Sequence, residues 1–290
     1  MWRLTVRLGL CFLCLATSAA AGELKITTWN LEWFPNGSPR VAPANEQTRR
    51  IAEAARVIRQ IDPDVLLLQE IQDYRTCERL IAAIGDKSYD IAVCSAFREA
   101  TGALAAQQVA ILSKAPAYAA WSEPWRRLGK VDPPRGFAFA WMKLGLLDVC
   151  IYCVHLKSNL VRTGNDREVQ TNILKRELAS EQLLQHLQAQ TRETIPGLKT
   201  VLIGGDFNTN MDQEMFVSEK TLTALAEAGF TSCWEGVPLK SRITHPGRGR
   251  YPDATFDFVF SKGAKVQVAE PVPNTVSDHF PVTVTIALGE

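Results

Sequence analysis

Residues 200–209 read Thr-Val-Leu-Ile-Gly-Gly-Asp-Phe-Asn-Thr. An unbroken apolar run of this length fits a strand covered on both faces, which requires a sheet buried beneath other layers. Two glycines end the run, and beyond them a carboxylate and a carboxamide stand two residues apart. Side chains at i and i+2 of extended backbone point to the same side, so Asp206 and Asn208 converge on one point past the strand end. Such a pair suits a divalent metal and an attacking water. Asp and Asn also favour turns, so the stretch alone reads equally well as a turn after a strand.

The layout recurs along the chain. Thr28-Trp29-Asn30-Leu31-Glu32 sets Asn30 and Glu32 at i and i+2 after a short apolar strand, and Leu66-Leu67-Leu68-Gln69-Glu70 ends in a carboxylate. Cys153-Val154-His155-Leu156-Lys157-Ser158 ends in His and then Lys. Thr255-Phe256-Asp257-Phe258-Val259-Phe260 encloses one Asp, and Ser277-Asp278-His279-Phe280-Pro281 lies near the C-terminus. Taken singly, each has an ordinary structural use. Glu70 serves as a solvated strand end, His155 as an interior histidine, Asp257 as a water-facing residue and Asp278-His279 as a turn before Pro281. Unrelated structural residues do not account for this order.

Strand-like runs dominate the rest: 24–29, 65–69, 89–95, 109–113, 137–144, 149–155, 256–261, 266–269 and 281–287. Helical patterns fall at 46–60, 77–84, 166–190 and 221–228, and 116–134 reads as an irregular loop rich in Trp, Pro and Arg. Many strands, few helices and a mixed order predict two packed sheets flanked by helices. No Gly/Ser/Pro-rich linker divides the chain, so one domain is expected over residues 22–290.

Residues 1–21 read as a secretory signal peptide. Arg3 and Arg7 precede a short apolar core at Leu8–Leu15, and Ala19-Ala20-Ala21 supplies small residues before a cleavage point near Gly22. That core is too short to span a bilayer. Loss of Arg3 and Arg7 leaves 30 basic against 31 acidic residues. No global basic field marks a nucleic-acid binder, so any polyanion must be held by a local basic patch or through metal. Five cysteines remain beyond the leader: Cys77, Cys94, Cys150, Cys153 and Cys233. Export permits disulfides, and an odd count leaves at least one thiol unpaired. Cys150 and Cys153 lie three apart in a strand, which argues against a redox pair; a Cys77–Cys94 bridge is one option.

The ordered set Trp-Asn-x-Glu, Leu-Gln-Glu, His-x-Lys, Gly-Asp-Phe-Asn, an Asp within a strand and Ser-Asp-His resembles the endonuclease/exonuclease/phosphatase superfamily. Its members include pancreatic-type DNases, abasic-site endonucleases, inositol-polyphosphate phosphatases and neutral sphingomyelinases. The resemblance runs from about Lys25 to Val284 and implies a four-layer α/β/β/α sandwich of two mixed β-sheets flanked by helices. It implies Glu70 as principal Mg²⁺ ligand, with Asn30, Glu32 and Asp278 in the same metal site; Mn²⁺ and Ca²⁺ are the alternative ions. It implies that Asp206 orients or deprotonates the attacking water and that Asn208 contacts the phosphate. His279 would face the scissile phosphate, oriented by Asp257, and His155 would be the second histidine of DNase-like members. Those members pair that histidine with a Glu, for which Glu99 is the nearest candidate.

The reaction implied is metal-assisted hydrolysis of a phosphoester. Nucleic acid is the first choice of substrate, with Lys157, Arg162 and Arg167 as phosphate contacts. Two loops that mix aromatic and basic residues, 125–135 and 242–251, suit backbone contact and base stacking. The alternatives are a phosphomonoesterase or lipid phosphodiesterase, for which Trp121, Pro124 and Trp125 are the candidate membrane contacts, and a binding relic of the fold without activity. A secreted or periplasmic monomer without a membrane anchor is expected.

Overall fold

The structure is a computed structural model and describes residues 23–85, 89–144, 147–161, 165–249 and 251–287. The expected leader and Arg162 lie outside the described residues. In chain order the elements begin β1 (Glu23–Phe34), α1 (Ala44–Ile61), β2 (Val65–Ile71), α2 (Tyr74–Ile84), β3 (Asp90–Cys94) and β4 (Gln108–Ser113). They continue with β5 (Ala117–Pro124), β6 (Gly136–Leu144), β7 (Leu147–His155), α3 (Asp166–Ala189) and β8 (Thr200–Asp206). The last are α4 (Thr221–Glu227), β9 (Thr231–Ser232), β10 (Asp257–Lys262), β11 (Lys265–Pro271) and β12 (Val282–Ala287).

The strands form two six-stranded sheets, ordered β11-β12-β1-β2-β4-β3 and β5-β6-β7-β8-β10-β9. Each contains one parallel pair, β1/β2 in the first and β7/β8 in the second. Strand alternation sorts the side chains. In β2, Val65 and Leu67 pack into the core between the sheets, while Leu66 and Leu68 pack against α1 and α2. Each such leucine, fully removed from water, contributes about 2 kcal/mol. Ile51, Ala54, Ala55 and Ile58 are buried along α1, and its end is set by Asp62, in the left-handed region, whose N–H reaches Ile58 O. Ala179, Leu183 and Leu187 of α3, with Leu222 and Leu225 of α4, close the outer face of the second sheet. The layers are therefore helix, sheet, sheet, helix, as expected.

Three expectations change. The stretch 116–134 contains the edge strand β5, whose alternation is masked by alanines and by its half-buried state between Pro116 and Pro124. The first strand continues past Trp29 to Phe34, through a register shift in which Glu32 and Trp33 take positive φ. The two glycines lie within β8 rather than after it. A Cβ on Gly205 would sit 1.9 Å from Val154 O, so glycine here permits the close approach of β7. All five cysteines beyond the leader are free thiols, Cys77 and Cys94 among them.

Candidate active site

The register of the second sheet places three polar residues in one row across neighbouring strands. His155 at the end of β7 pairs with Asp206 at the end of β8, and Asp206 pairs with Asp257 at the start of β10. In the first sheet Asn30 of β1 pairs with Gln69 of β2, so Glu70 lies one residue beyond. The C-terminal ends of both parallel pairs thus meet at one edge of the sandwich.

Asp206 is the hub. Its Oδ2 accepts from Asn30 Nδ2 (2.9 Å) and Asn208 Nδ2 (3.0 Å), and its Oδ1 accepts from the Asn208 N–H (2.9 Å). The same Oδ2 lies 3.6 Å from His155 Nε2 and 3.9 Å from His279 Nε2. Asp257 Oδ2 holds His279 Nδ1 at 2.7 Å, which leaves Nε2 as the nitrogen turned toward Asp206. The histidine loop is tied to the other sheet. Ser277 Oγ donates to Asn30 O (2.7 Å) and accepts from His279 N, and Trp29 Nε1 donates to His279 O. Thr244 Oγ1 accepts the N–H groups of Phe256 and Asp257 and so seats the start of β10.

This packing sets the protonation of the site. Burial opposes charge on His279, but Asp257, Asp206 and Asp278 outweigh it and push its pKa up to about 10. At neutral pH His279 is an imidazolium. Burial pushes Asp206 up to about 7, opposed by His279 and by the two asparagine donors. His155 is held well below the ordinary histidine value, by burial first and then by Arg135, His279 and Lys157. Its imidazole is therefore neutral. A base near 7 beside a fixed imidazolium is a working acid–base arrangement.

Glu70 stands at the other side of the hub. Its Oε2 accepts from Trp33 N (2.8 Å), and its Oε1 accepts from Asn30 Nδ2 (3.3 Å) and lies 3.8 Å from His155 Nε2. Glu32, Glu70 and Asn208 all have positive φ: 51°, 62° and 53°. Each such backbone costs about 1–3 kcal/mol and persists only where its surroundings impose it. For Glu32 that restraint comes from Arg50, whose Nη2 donates to the carbonyls of Leu31 and Glu32 at 3.1 Å each. Burial and the neighbouring Asp278 and Glu70 raise the Glu32 pKa, because these carboxylates crowd together. A divalent cation relieves such crowding, so Glu32, Glu70 and Asp278 fit one. Asn30 lies beside them, its oxygen accepting from the Glu32 N–H (3.0 Å) and its amide donating to Glu70 and Asp206. Asp206, Asp257 and His279 offer a second set of donor atoms, all within 4.8 Å of one another.

The proposed carboxylate partner of His155 is absent among the described residues. Glu99 lies in an exposed turn closed by its backbone bonds with Gly102 and Ala103, and His155 Nδ1 is buried without a partner. Beside the ring stands Arg135, whose Nε and Nη2 donate to the carbonyls of His155 (2.9 Å) and Leu156 (2.6 Å). Its third bond goes to Gln107 Oε1 (3.1 Å), so Arg135 braces the histidine segment and not a phosphate. Lys157 follows on that segment, half-buried, with its pKa lowered to about 8 by burial and by Arg135, Lys175 and Arg176. Arg167 is exposed in the first turn of α3 and is not drawn into the site. His245, from the 242–251 loop expected to contact substrate, is drawn in against His279 instead. Its ring packs 4.8 Å from that of His279, and its Nε2 lies 3.9 Å from Asp278 Oδ2. Only the fold brings it there, because 34 residues separate it from His279.

The scaffold is that of a known family of phosphoester hydrolases. Residues 27–279 match the model of the endonuclease/exonuclease/phosphatase family, and the chain belongs to it. Members of that family hydrolyse phosphoesters and generally depend on a divalent metal. Similar solved structures include an endonuclease/exonuclease/phosphatase from Beutenbergia cavernae, with TM-score 0.64 and 20% identity over 92% of this chain and 72% of that one. Another, from Bacteroides vulgatus, has TM-score 0.67 and 14% identity over 92% and 100%. Truncated Caenorhabditis elegans TDP2 has TM-score 0.62 and 17% identity over 92% and 99%. At these identities the likeness establishes the fold. Among curated proteins, none matches the chain.

Proposed function

We propose that this protein is an exported, Mg²⁺-dependent endonuclease that cleaves phosphodiesters of DNA or RNA. The observation that carries the substrate assignment is the cationic cluster beside His155. Burial first, and then the charges of Arg135, Lys175 and Arg176, depress the Lys157 pKa, and Arg176 is itself paired with Glu219. Lys157 and Lys175, backed by the buried Arg135, thus set positive charge beside His155 in a chain with almost no net charge. The 125–135 loop is not a stacking platform, since Trp125 is buried against Phe137. Trp121, packed on Phe139, and Trp125 are likewise unsuited to membrane insertion. Among the described residues, no helix is long and apolar enough to cross a membrane.

In the reaction, Asp206, held in place by Asn208 and Asn30, accepts the proton of the attacking water as the water oxygen bonds to phosphorus; the bond from phosphorus to the leaving oxygen breaks, and that oxygen takes a proton from solvent. The His279 imidazolium, fixed by Asp257, donates its Nε2–H to a non-bridging phosphoryl oxygen as charge develops there. Neutral His155 donates one hydrogen bond on the opposite side of Asp206. Glu70, Glu32 and Asp278 would hold the metal, with Asn30 beside them, and a bound Mg²⁺ supplies charge neutralisation at the phosphoryl group.

A lipid phosphodiesterase is the second reading, favoured by the exposed Met211, Met215 and Val217 on the segment after Asn208. A substrate panel decides between them: plasmid DNA, RNA, sphingomyelin vesicles and inositol phosphates, each with Mg²⁺ and with EDTA. Cleavage of DNA or RNA that stops in EDTA is expected. Turnover of sphingomyelin or inositol phosphates with intact nucleic acid would replace the nuclease reading. Export rests on residues 1–21 and is checked by N-terminal sequencing of the cell-produced protein, which should begin near Gly22.

A further inference from the structure

The segment that carries His155 and Lys157 leaves the sheet almost at once. β7 ends at His155, and the Leu156 N–H makes a last bond to Asp206 O (2.9 Å). Beyond it the strand ladder stops. Arg135 holds the carbonyls of His155 and Leu156, and the next carbonyl, that of Lys157, accepts from Arg176 Nη1 of α3 at 3.0 Å. Three successive carbonyls are thus held by two guanidiniums.

Arg176 is unusual in its burial. Its side chain and that of Glu219 are each 1% exposed, and they are joined by Nε–Oε1 (2.8 Å) and Nη2–Oε2 (2.5 Å) bonds. Thr221 Oγ1 also donates to Glu219, and the Phe216 ring lies 5.6 Å from the guanidinium. A pair so deeply buried contributes little net stability, because desolvation of both ions offsets their attraction, and apolar pairs of similar volume often serve as well. Stability therefore does not account for it. Its geometry does: Glu219 fixes the guanidinium plane by two bonds, and the remaining Nη1 points to the one carbonyl that anchors Lys157.

We propose that Arg176 is a positioning residue that, locked by Glu219 and bonded to the Lys157 carbonyl, sets where the Lys157 ammonium meets a phosphate of the bound strand. This rests on the nuclease reading and on Lys157 as a phosphate contact.

The salt dependence of DNA binding tests it, because a merely structural brace leaves that quantity alone. Binding of a fluorescein-labelled DNA oligonucleotide to the full chain in EDTA would be measured across salt concentrations. The proteins are wild type, Lys157→Ala, the charge-neutral double variant Arg176→Met with Glu219→Met, and that double variant combined with Lys157→Ala. Lys157→Ala should lower the log K against log[salt] slope by about 1. The double variant should lose about the same slope with Lys157 still present, and adding Lys157→Ala should change nothing further. Arg176→Lys keeps the charge pair but not the forked geometry, and it should show the same loss if the double variant fails to fold. A wild-type slope in folded double variant or in Arg176→Lys, with Lys157→Ala impaired, overturns this proposal alone. A wild-type slope in Lys157→Ala overturns the Lys157 assignment and the proposal with it. No DNA binding by the wild type, in EDTA or with Mg²⁺, overturns the nuclease reading on which both stand.

Discussion

Asp257 Oδ2 holds His279 Nδ1 at 2.7 Å in a site where the histidine is 7% and the aspartate 0% exposed. The carboxylate orients the ring and keeps it charged, so that Nε2–H is available to a phosphoryl oxygen. Asp257→Asn preserves shape but removes the charge. Phosphodiester hydrolysis should fall by about 100- to 10,000-fold, the span of a lost acid–base group. Circular dichroism should be unchanged. Activity within a few-fold of wild type would mean that the imidazolium has no part in turnover.

The same pair makes stability depend on pH. The folded-state pKa of His279 is about 10, above the ordinary 6.5, so its contribution is complete below 6.5 and is lost as pH rises toward 10. Thermal unfolding in EDTA should show wild type losing Tm between pH 7.5 and 10 more steeply than Asp257→Asn. Parallel curves would show that the pair does not raise the histidine pKa.

Lys157 gives a separate pH dependence. Its charge is lost as pH passes about 8, so KM for DNA should rise above that pH. In Lys157→Ala, KM should already be high and should not change there. An identical KM profile in both proteins would remove Lys157 from substrate binding.

The crowded carboxylates give a metal prediction. Glu32→Gln removes one of three acidic groups at the candidate cation site, and Mn²⁺ affinity measured by calorimetry should drop about 10- to 100-fold. The Glu32 pKa is raised by burial and by Asp278, so metal binding to wild type should strengthen as pH rises. Unchanged affinity would place the ion elsewhere, with Asp206, Asp257 and His279 as the alternative donors.

Gly205 tests the scaffold. A Cβ there meets Val154 O at 1.9 Å, so Gly205→Ala must part β7 from β8 and carry His155 away from Asp206. A stability loss of about 1–3 kcal/mol by denaturant titration is expected, as for other overpacked sites. A wild-type midpoint would show that the strands tolerate the separation.

Much of the site was legible before the fold was known, for a physical reason. A metal or proton-transfer site needs side-chain oxygen and nitrogen at strand ends, and Asn30, Glu32, Glu70, His155, Asp206, Asn208, Asp257 and His279 interrupt apolar runs where such groups stand out. Residues that act through backbone leave no comparable trace. Arg135 and Arg176 bond to carbonyls, which every residue has, so nothing in the local pattern separates them from surface arginines. His245 reaches His279 only because β10 turns the preceding loop back over the site. The role of Gly205 depends on the neighbouring strand, and β5 was hidden because an edge strand of alanines is only half-buried.

Nicking of supercoiled plasmid DNA by wild type and His279→Ala, with Mg²⁺ and with EDTA, tests the central claim most directly. Wild type should relax and then linearise the plasmid with Mg²⁺ and leave it intact in EDTA, and folded His279→Ala should be slower by at least about 100-fold. Nicking by His279→Ala at the wild-type rate, or by wild type in EDTA, would contradict a metal-dependent phosphodiesterase built around Asp206, Asp257 and His279.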